Sequence, residues 1–257
     1  MIKVSIIGSG NVAQHLITTF QNLENSGDEI ELFQVFARKK ESLISLLPEN
    51  QIITNFNALE EADLYIIAVS DDAIATVSDA LPFKNRLVVH TSGSMSFSIL
   101  NDNNRKGVFY PLQTFTKGKA VDFATIPICL ESENGTDYKI LEKTARAISN
   151  KVYAINSEQR KALHVAAVFV NNFTNHLYAV GNEICRENQI PFAILKPLME
   201  ETLNKLETLS PREAQTGPAI RNDQKTIMAH EAFLKDKNQL KLYKTLTQSI
   251  QENGKKL

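Results

Sequence analysis

The sequence predicts an α/β domain, doubly wound around a mostly parallel sheet, over residues 1–156, followed by an all-α domain over residues 157–257. Three observations carry this. Short β-like runs alternate with amphipathic segments through the first part, those runs stop after Asn156, and the first run ends in a glycine turn that opens a helix. Strands that alternate with helical segments are joined by crossovers, and crossovers lay strands parallel.

The predicted strands are "KVSIIG", "IELFQVFA", "LYIIAVS", "RLVVHTS", "GVFYP", "IPICLE" and "KVYAIN". Each is short, rich in β-branched or aromatic residues, and separated from the next by helical or loop sequence. In the second part, "NSEQRKALHVAAVFVNNFTNHLYAVGNEICREN" begins at Asn156 or Ser157 as a cap, and Leu163, Ala166, Val170, Phe173, Leu177, Val180 and Ile184 recur at helical spacing. About 30 residues of helix would span roughly 45 Å, longer than a small domain needs alone, which points to a role between subunits. Helices also fit "PFAILKPLMEETLNKLETL" and "DQKTIMAHEAFLKDKNQLKLYKTLTQSIQEN", with "SPREAQTGPAIRND" as an irregular link.

Composition narrows the function classes. The 257 residues are 43% hydrophobic, enough for a substantial core, and 28 Lys plus Arg balance 29 Asp plus Glu. No global field attracts nucleic acid or an anionic membrane, so a small molecule is the expected partner. Cys129 and Cys185 stand far apart in no metal-binding spacing, so neither a disulfide framework nor a bound metal is expected. Met1 leads almost directly into a strand pattern without a secretory lead, and no apolar run approaches the length of a membrane span. A soluble, cytoplasmic protein is the expectation.

The glycine turn carries the first chemistry. Gly8, Gly10 and Ala13 stand at GxGxxA spacing, with Ser9, Asn11 and Val12 between them. The first glycine permits a tight turn, the second lets a pyrophosphate approach the backbone, and the small third residue allows close helix–strand packing. The free amides and positive dipole end of the helix then face the phosphates. A glycine turn without chemical meaning is the alternative; its position at the first strand of an alternating chain favours a dinucleotide and hence a Rossmann domain. The second strand ends "QVFARKKE", placing Ala37, Arg38, Lys39 and Lys40 where an NAD enzyme carries an acid. Glu31 begins that strand and lies at the opposite edge. Arg38 and Lys39 are therefore predicted to read the 2′-phosphate of NADP, against the alternative of a solvated basic helix start.

At these residues the chain resembles a known group. "GSGNVA", "ARK", "AVSDDAI" and "HTSGS" are similar to the NADP-binding domain of pyrroline-5-carboxylate reductases, 6-phosphogluconate-type dehydrogenases and deazaflavin-dependent NADP oxidoreductases. "FYPLQTF", "ALHVAAVFVNNF" and "AQTGPAIRND" resemble a bacterial group of oxidoreductases whose helical C-terminal domain has no settled function. The resemblance implies a Rossmann domain, a helical domain like that of the 6-phosphogluconate dehydrogenase superfamily, and a homodimer. It implies no substrate.

Further candidates follow residue by residue. Val69, Ser70 and Asp71 would lie at the carboxyl edge of the sheet beside the cofactor, and Ser70 or Asp71 also suits a helix cap. His90, Thr91, Ser92 and Gly93 end a buried strand on the same side; Ser92 is assigned to the cofactor, and His90 is either a structural hydrogen bonder or an acid. Gln113 would bond a substrate or satisfy loop backbone. In the long helix, spacings of seven and eleven put His164, Asn171 and Asn175 near one face, with Asn172 beside them. A polar pocket fits these residues as well as a solvated stripe or inter-helix hydrogen bonds do. Hydroxyacid dehydrogenases similar in fold carry a catalytic Lys one turn before an Asn, whereas Ala167 precedes Asn171 and Val168 precedes Asn172 here. His164, Asn172 and His90 are thus the catalytic candidates, with Gln113, Asn171 and Arg221 for the substrate; Arg221 would close on an anion or simply pair with Asp223.

The expected activity is hydride transfer between NADP(H) and a small carbonyl or imine, in a cleft between the domains. A non-catalytic NADP-binding sensor or assembly protein, and an NADP-linked deazaflavin reductase, are the alternatives.

Overall fold

The chain, described here from a computed structural model over residues 1–24 and 29–254, begins with strand β1 (Ile2–Ile7), the glycine turn and helix α1 (Asn11–Glu24). In α1, Ala13, Leu16, Ile17 and Phe20 are fully buried, the i, i+3, i+4, i+7 face that this sequence presents to a sheet. Strands β2 (Ile30–Phe36), β3 (Ile52–Ile53) and β4 (Leu64–Ile67) follow, then α2 (Ile74–Asp79) and β5 (Leu87–His90). Next come β6 (Arg105–Pro111), β7 (Ile128–Ser132), α3 (Gly135–Ile148) and β8 (Val152–Ala154).

Among the described residues these strands form one eight-stranded sheet in the order β3-β2-β1-β4-β5-β6-β7-β8. All pairs are parallel except β6 with β7, where a loop replaces the crossover helix and returns the chain antiparallel. All seven predicted runs are strands. The two-residue β3 is additional, too short for a periodic signal.

Alternate residues of β4 serve opposite faces. Leu64 and Ile66 join the core shared with α1 and α3, whereas Tyr65 and Ile67 join a second core with Ile74 of α2. Helices on both faces of a mostly parallel sheet make the doubly wound fold. Its order reverses between β1 and β4, and a crevice opens there at the strands' carboxyl ends.

Helix α4 (Ser157–Ala167) begins in a capping box: the Asn156 side chain accepts from the Gln159 amide, and the Gln159 side chain accepts from the Asn156 amide. The predicted unbroken α-helix is interrupted. Val168–Phe173 form a π-helical turn before α5 (Thr174–Glu187). A π turn carries extra backbone relative to 3.6 residues per turn, so the face computed for His164, Asn171 and Asn175 on a uniform α period does not run through it.

The chain divides into two compact units, Met1–Asn171 and Asn172–Leu257. The strand pattern ends at Asn156, but the first turns of α4 belong to the α/β unit because Arg160 is buried there and Leu163 packs with Val108, Tyr110 and Cys129. The second unit holds α5, α6 (Lys196–Asn204), α7 (Gln224–Phe233) and α8 (Lys237–Gly254). The last predicted helical stretch is split, since Asp223 caps α7 and Asp236 accepts the amides of Asn238 and Gln239 to start α8 anew. His230 Nδ1 lies 2.9 Å from the Tyr243 hydroxyl across the pair. Among the described residues no helix is long and apolar enough to cross a membrane.

Candidate functional site

At the β1/β4 switch point lies a cleft of about 910 Å³. Gly8, Ser9, Gly10, Asn11 and Val12 form one wall, Ala37 and Arg38 one end, and Ala68, Val69, Ser70 and Thr91 the far side. The two glycines have different reasons to be there. Gly8 has φ of +140°, and a Cβ on it would come within 2.2 Å of the Ala68 carbonyl oxygen, so it lets β1 and the end of β4 approach. A Cβ on Gly10 would meet nothing within 4 Å, because it would project into the open cleft. Ala13 lies in the core beneath, where its small side chain lets α1 settle on the sheet. Open space above Gly10, the α1 amides and the Arg38 guanidinium suit a dinucleotide's pyrophosphate and 2′-phosphate.

Of the three predicted cations only Arg38 lines this cleft. Lys39 is exposed outside its lining, and Lys40 pairs with Glu49 at 3.0 Å. Asp71 and Ser92 also lie outside the lining. Asp71 accepts a hydrogen bond from Ser94 Oγ, and Ser92 Oγ accepts the amides of Ser94 and Met95, building the turn after β5. Through these bonds the two residues join the β4 and β5 loops. Asp72, Ala73, Thr76 and Val77 line the cleft and were not predicted; the signal was their recurrence on one side of the α2 turn.

His90 is fully buried, and its Nδ1 accepts the Ser92 amide at 3.1 Å. Burial first, and then the Arg160 cation, push its pKa down to about 4. Near neutrality the ring is therefore the uncharged imidazole, with Nδ1 accepting the Ser92 amide and its one proton on Nε2, and it helps to build the turn after β5. Gln113 is exposed and its Oε1 accepts the Thr114 amide, satisfying loop backbone. Asn171 and Asn172 lie exposed in the π turn. Arg221 is exposed in the second unit, where Asp223 is held below the usual carboxylate range by hydrogen bonds from Thr226 and, secondarily, by Arg221.

His164 stands apart from these. Its Nδ1 lies 3.1 Å from the Tyr110 hydroxyl, with the rings edge to face. Tyr110, at the end of β6 and nearly buried, is pushed up to about 12 by desolvation, so it remains a phenol. Both rings press on Gly93: a Cβ there would lie 2.5 Å from His164 Nδ1 and 2.8 Å from the Tyr110 hydroxyl. Gly93 follows Thr91, a cleft-lining residue, by two positions. The pair thus sits beside the carboxyl end of β5, next to the cleft. Tyr110 was missed because an aromatic in a strand reads as core.

A doubly wound sheet with a glycine cradle and a terminal arginine defines a dinucleotide-binding protein of the NADP oxidoreductase type. Residues 3–94 match the family model "NADP oxidoreductase coenzyme F420-dependent", and residues 126–250 match a domain of unknown function, DUF2520. The chain is 36% identical to a proposed NADP oxidoreductase from Bacteroides fragilis of known structure, over 98% of each chain, with a TM-score of 0.84. It belongs to that protein's family, in which an NADP oxidoreductase domain precedes a DUF2520 region. Two more distant structures share the fold. One is a 1-pyrroline-5-carboxylate reductase from Streptococcus pyogenes, 14% identical over 98% of each chain, with a TM-score of 0.62. The other is a Plasmodium falciparum pyrroline carboxylate reductase with NADP bound, 11% identical over 97% of this chain and 98% of that one, with a TM-score of 0.60. Comparison with curated proteins finds no match.

Proposed function

We propose that the protein is an NADPH-dependent reductase of a small carbonyl or imine compound, with His164 as its proton donor. The observation that carries this reading is the Tyr110–His164 pair packed on Gly93, beside the cleft that suits the cofactor. Gly8 to Val12 and the α1 amides hold the pyrophosphate, and Arg38 forks onto the 2′-phosphate. NADPH, when bound, supplies the hydride that adds to the substrate carbon. The π-bond pair moves to the substrate oxygen or nitrogen, which needs a proton there. His164 delivers it from Nε2. Tyr110, kept a phenol by burial, accepts Nδ1–H and so leaves Nε2 as the ring atom that gains and loses the proton. Partial exposure of His164 lets solvent restore it.

The test measures NADPH oxidation against a panel of carbonyls and imines. His164→Ala should bind NADPH as the wild type does and lose about 10²–10⁴-fold in turnover. Unchanged turnover in that folded variant would remove His164 from the mechanism. The nucleotide-domain match favours one second reading, in which a deazaflavin is the reaction partner. NADPH oxidation dependent on added deazaflavin, and on no carbonyl or imine, would select it.

Two copies pair in this reading. Val165 (53% exposed) and Val170 (75% exposed) support a self-complementary apolar contact.

A further inference from the structure

We propose that the buried Arg160–Glu131 ion pair is a positioning device that sets the register of α4 on the sheet, and so holds His164 against Tyr110. The inference rests on the reading of that pair as the working one, but its test does not use turnover.

Arg160 is fully buried, yet it lies on a helix whose neighbouring positions are largely exposed. Its guanidinium donates to Glu131 Oε2 on β7, to the Met95 carbonyl in the turn after β5, and to Ser157 Oγ at 3.1 Å. Glu131 also accepts the Ser157 amide at 2.9 Å and the Ser157 hydroxyl at 2.7 Å, so the start of α4 is tied to β7 by backbone as well as side chain. One cation therefore ties α4, which carries His164, to the turn after β5, which carries Gly93, and to β7, the strand paired with the β6 that carries Tyr110.

The spacing is commensurate. In the β6/β7 ladder Val108 faces Glu131 and Tyr110 faces Cys129, which places Glu131 and Tyr110 diagonally on one side of the sheet. Two residues along a strand advance about 6.8 Å. From Arg160 to His164, four residues along a helix, the advance is about 6 Å on one face. A helix anchored at Glu131 by Arg160 thus presents His164 to Tyr110. Consistent with this closeness, the Arg160 cation acts on the titration of Tyr110, Cys129 and His90.

Stability alone is a weak reason for such a pair. Burying two charges costs most of what their attraction returns, and apolar residues of similar volume often serve a core as well. A directional, forked contact specifies register in a way that apolar packing does not.

Histidine-selective ¹⁵N labelling tests this, since the chain has five histidines and His164→Gln assigns the ring signals. In the wild type, Tyr110→Phe should shift the His164 ring signals, because it removes their hydrogen bond. In a doubly apolar background, Arg160→Met with Glu131→Leu, that response should be lost while NADPH still raises the melting temperature. Should the doubly apolar chain not fold, Arg160→Lys takes its place: it keeps the charge but not the fork, and the response should again be lost. An equal shift on Tyr110→Phe in both backgrounds would overturn the proposal. Absence of any shift in the wild type would instead count against the hydrogen bond, and so against the reading beneath it.

Discussion

Gly8 and Gly10 are two residues apart and meet opposite surroundings, so substitution separates folding from binding. Gly10→Val should leave thermal unfolding nearly unchanged and abolish NADPH binding by calorimetry, because its side chain would fill the open cleft. Gly8→Val should destabilise on the order of 3 kcal/mol, since the Ala68 carbonyl occupies the Cβ position and the backbone is left-handed. Arg38→Ala should cost about 1.5–3 kcal/mol in NADPH affinity and little for NADH, the range for a charge-assisted hydrogen bond. Equal loss for both cofactors would show that Arg38 does not read the 2′-phosphate. His90 makes the fold sensitive to acid. Its folded pKa of about 4 lies below the ordinary histidine value of 6.5, so the unfolded chain binds more protons between those values and stability falls as pH drops through that window. The slope is at most about 1.4 kcal/mol per pH unit. The groups facing it are Arg160, which opposes protonation, and Asp71 and Glu131, which favour it. Denaturant midpoints of His90→Asn against the wild type between pH 4 and 6.5 should lose this slope.

Among the elements, α4 shows how local and long-range signals divide. Its start was legible, because Asn156 and Gln159 form a capping box within four residues of sequence. Asn156→Ala should lower stability by about 1 kcal/mol, read as a fall in melting temperature. The π turn after it was not legible. Nothing in "VFVNNF" breaks the apolar repeat, so a uniform helical period misplaces the asparagines relative to His164. The strands show the same division: seven were evident from their apolar runs, while the antiparallel return of β7 depends on a loop that lacks a crossover helix.

For the whole molecule, the proposed pairing of two copies makes a prediction that does not depend on substrate. Sedimentation of the wild type at micromolar concentration should show a dimer, and Val170→Asp should give a folded monomer. Val170 is 75% exposed in the single chain, so the carboxylate stays hydrated there and is penalised only at a contact between copies. A monomeric wild type would dismiss the pairing.

The sequence by itself determined what short spacing encodes. GxGxxA, the ARK after β2 and the cap of α4 act over a few residues, where backbone sterics and helix geometry leave little choice, and the alternation of strands and helices set the doubly wound class. Only tertiary structure decided which side chains meet. Tyr110 and His164 are 54 positions apart, and Arg160 and Glu131 are 29 apart. In sequence, Tyr110 reads as core and Arg160 as a solvated cation on an amphipathic helix. Their roles come from burial against one another, which no local pattern specifies because it depends on how β6, β7 and α4 pack.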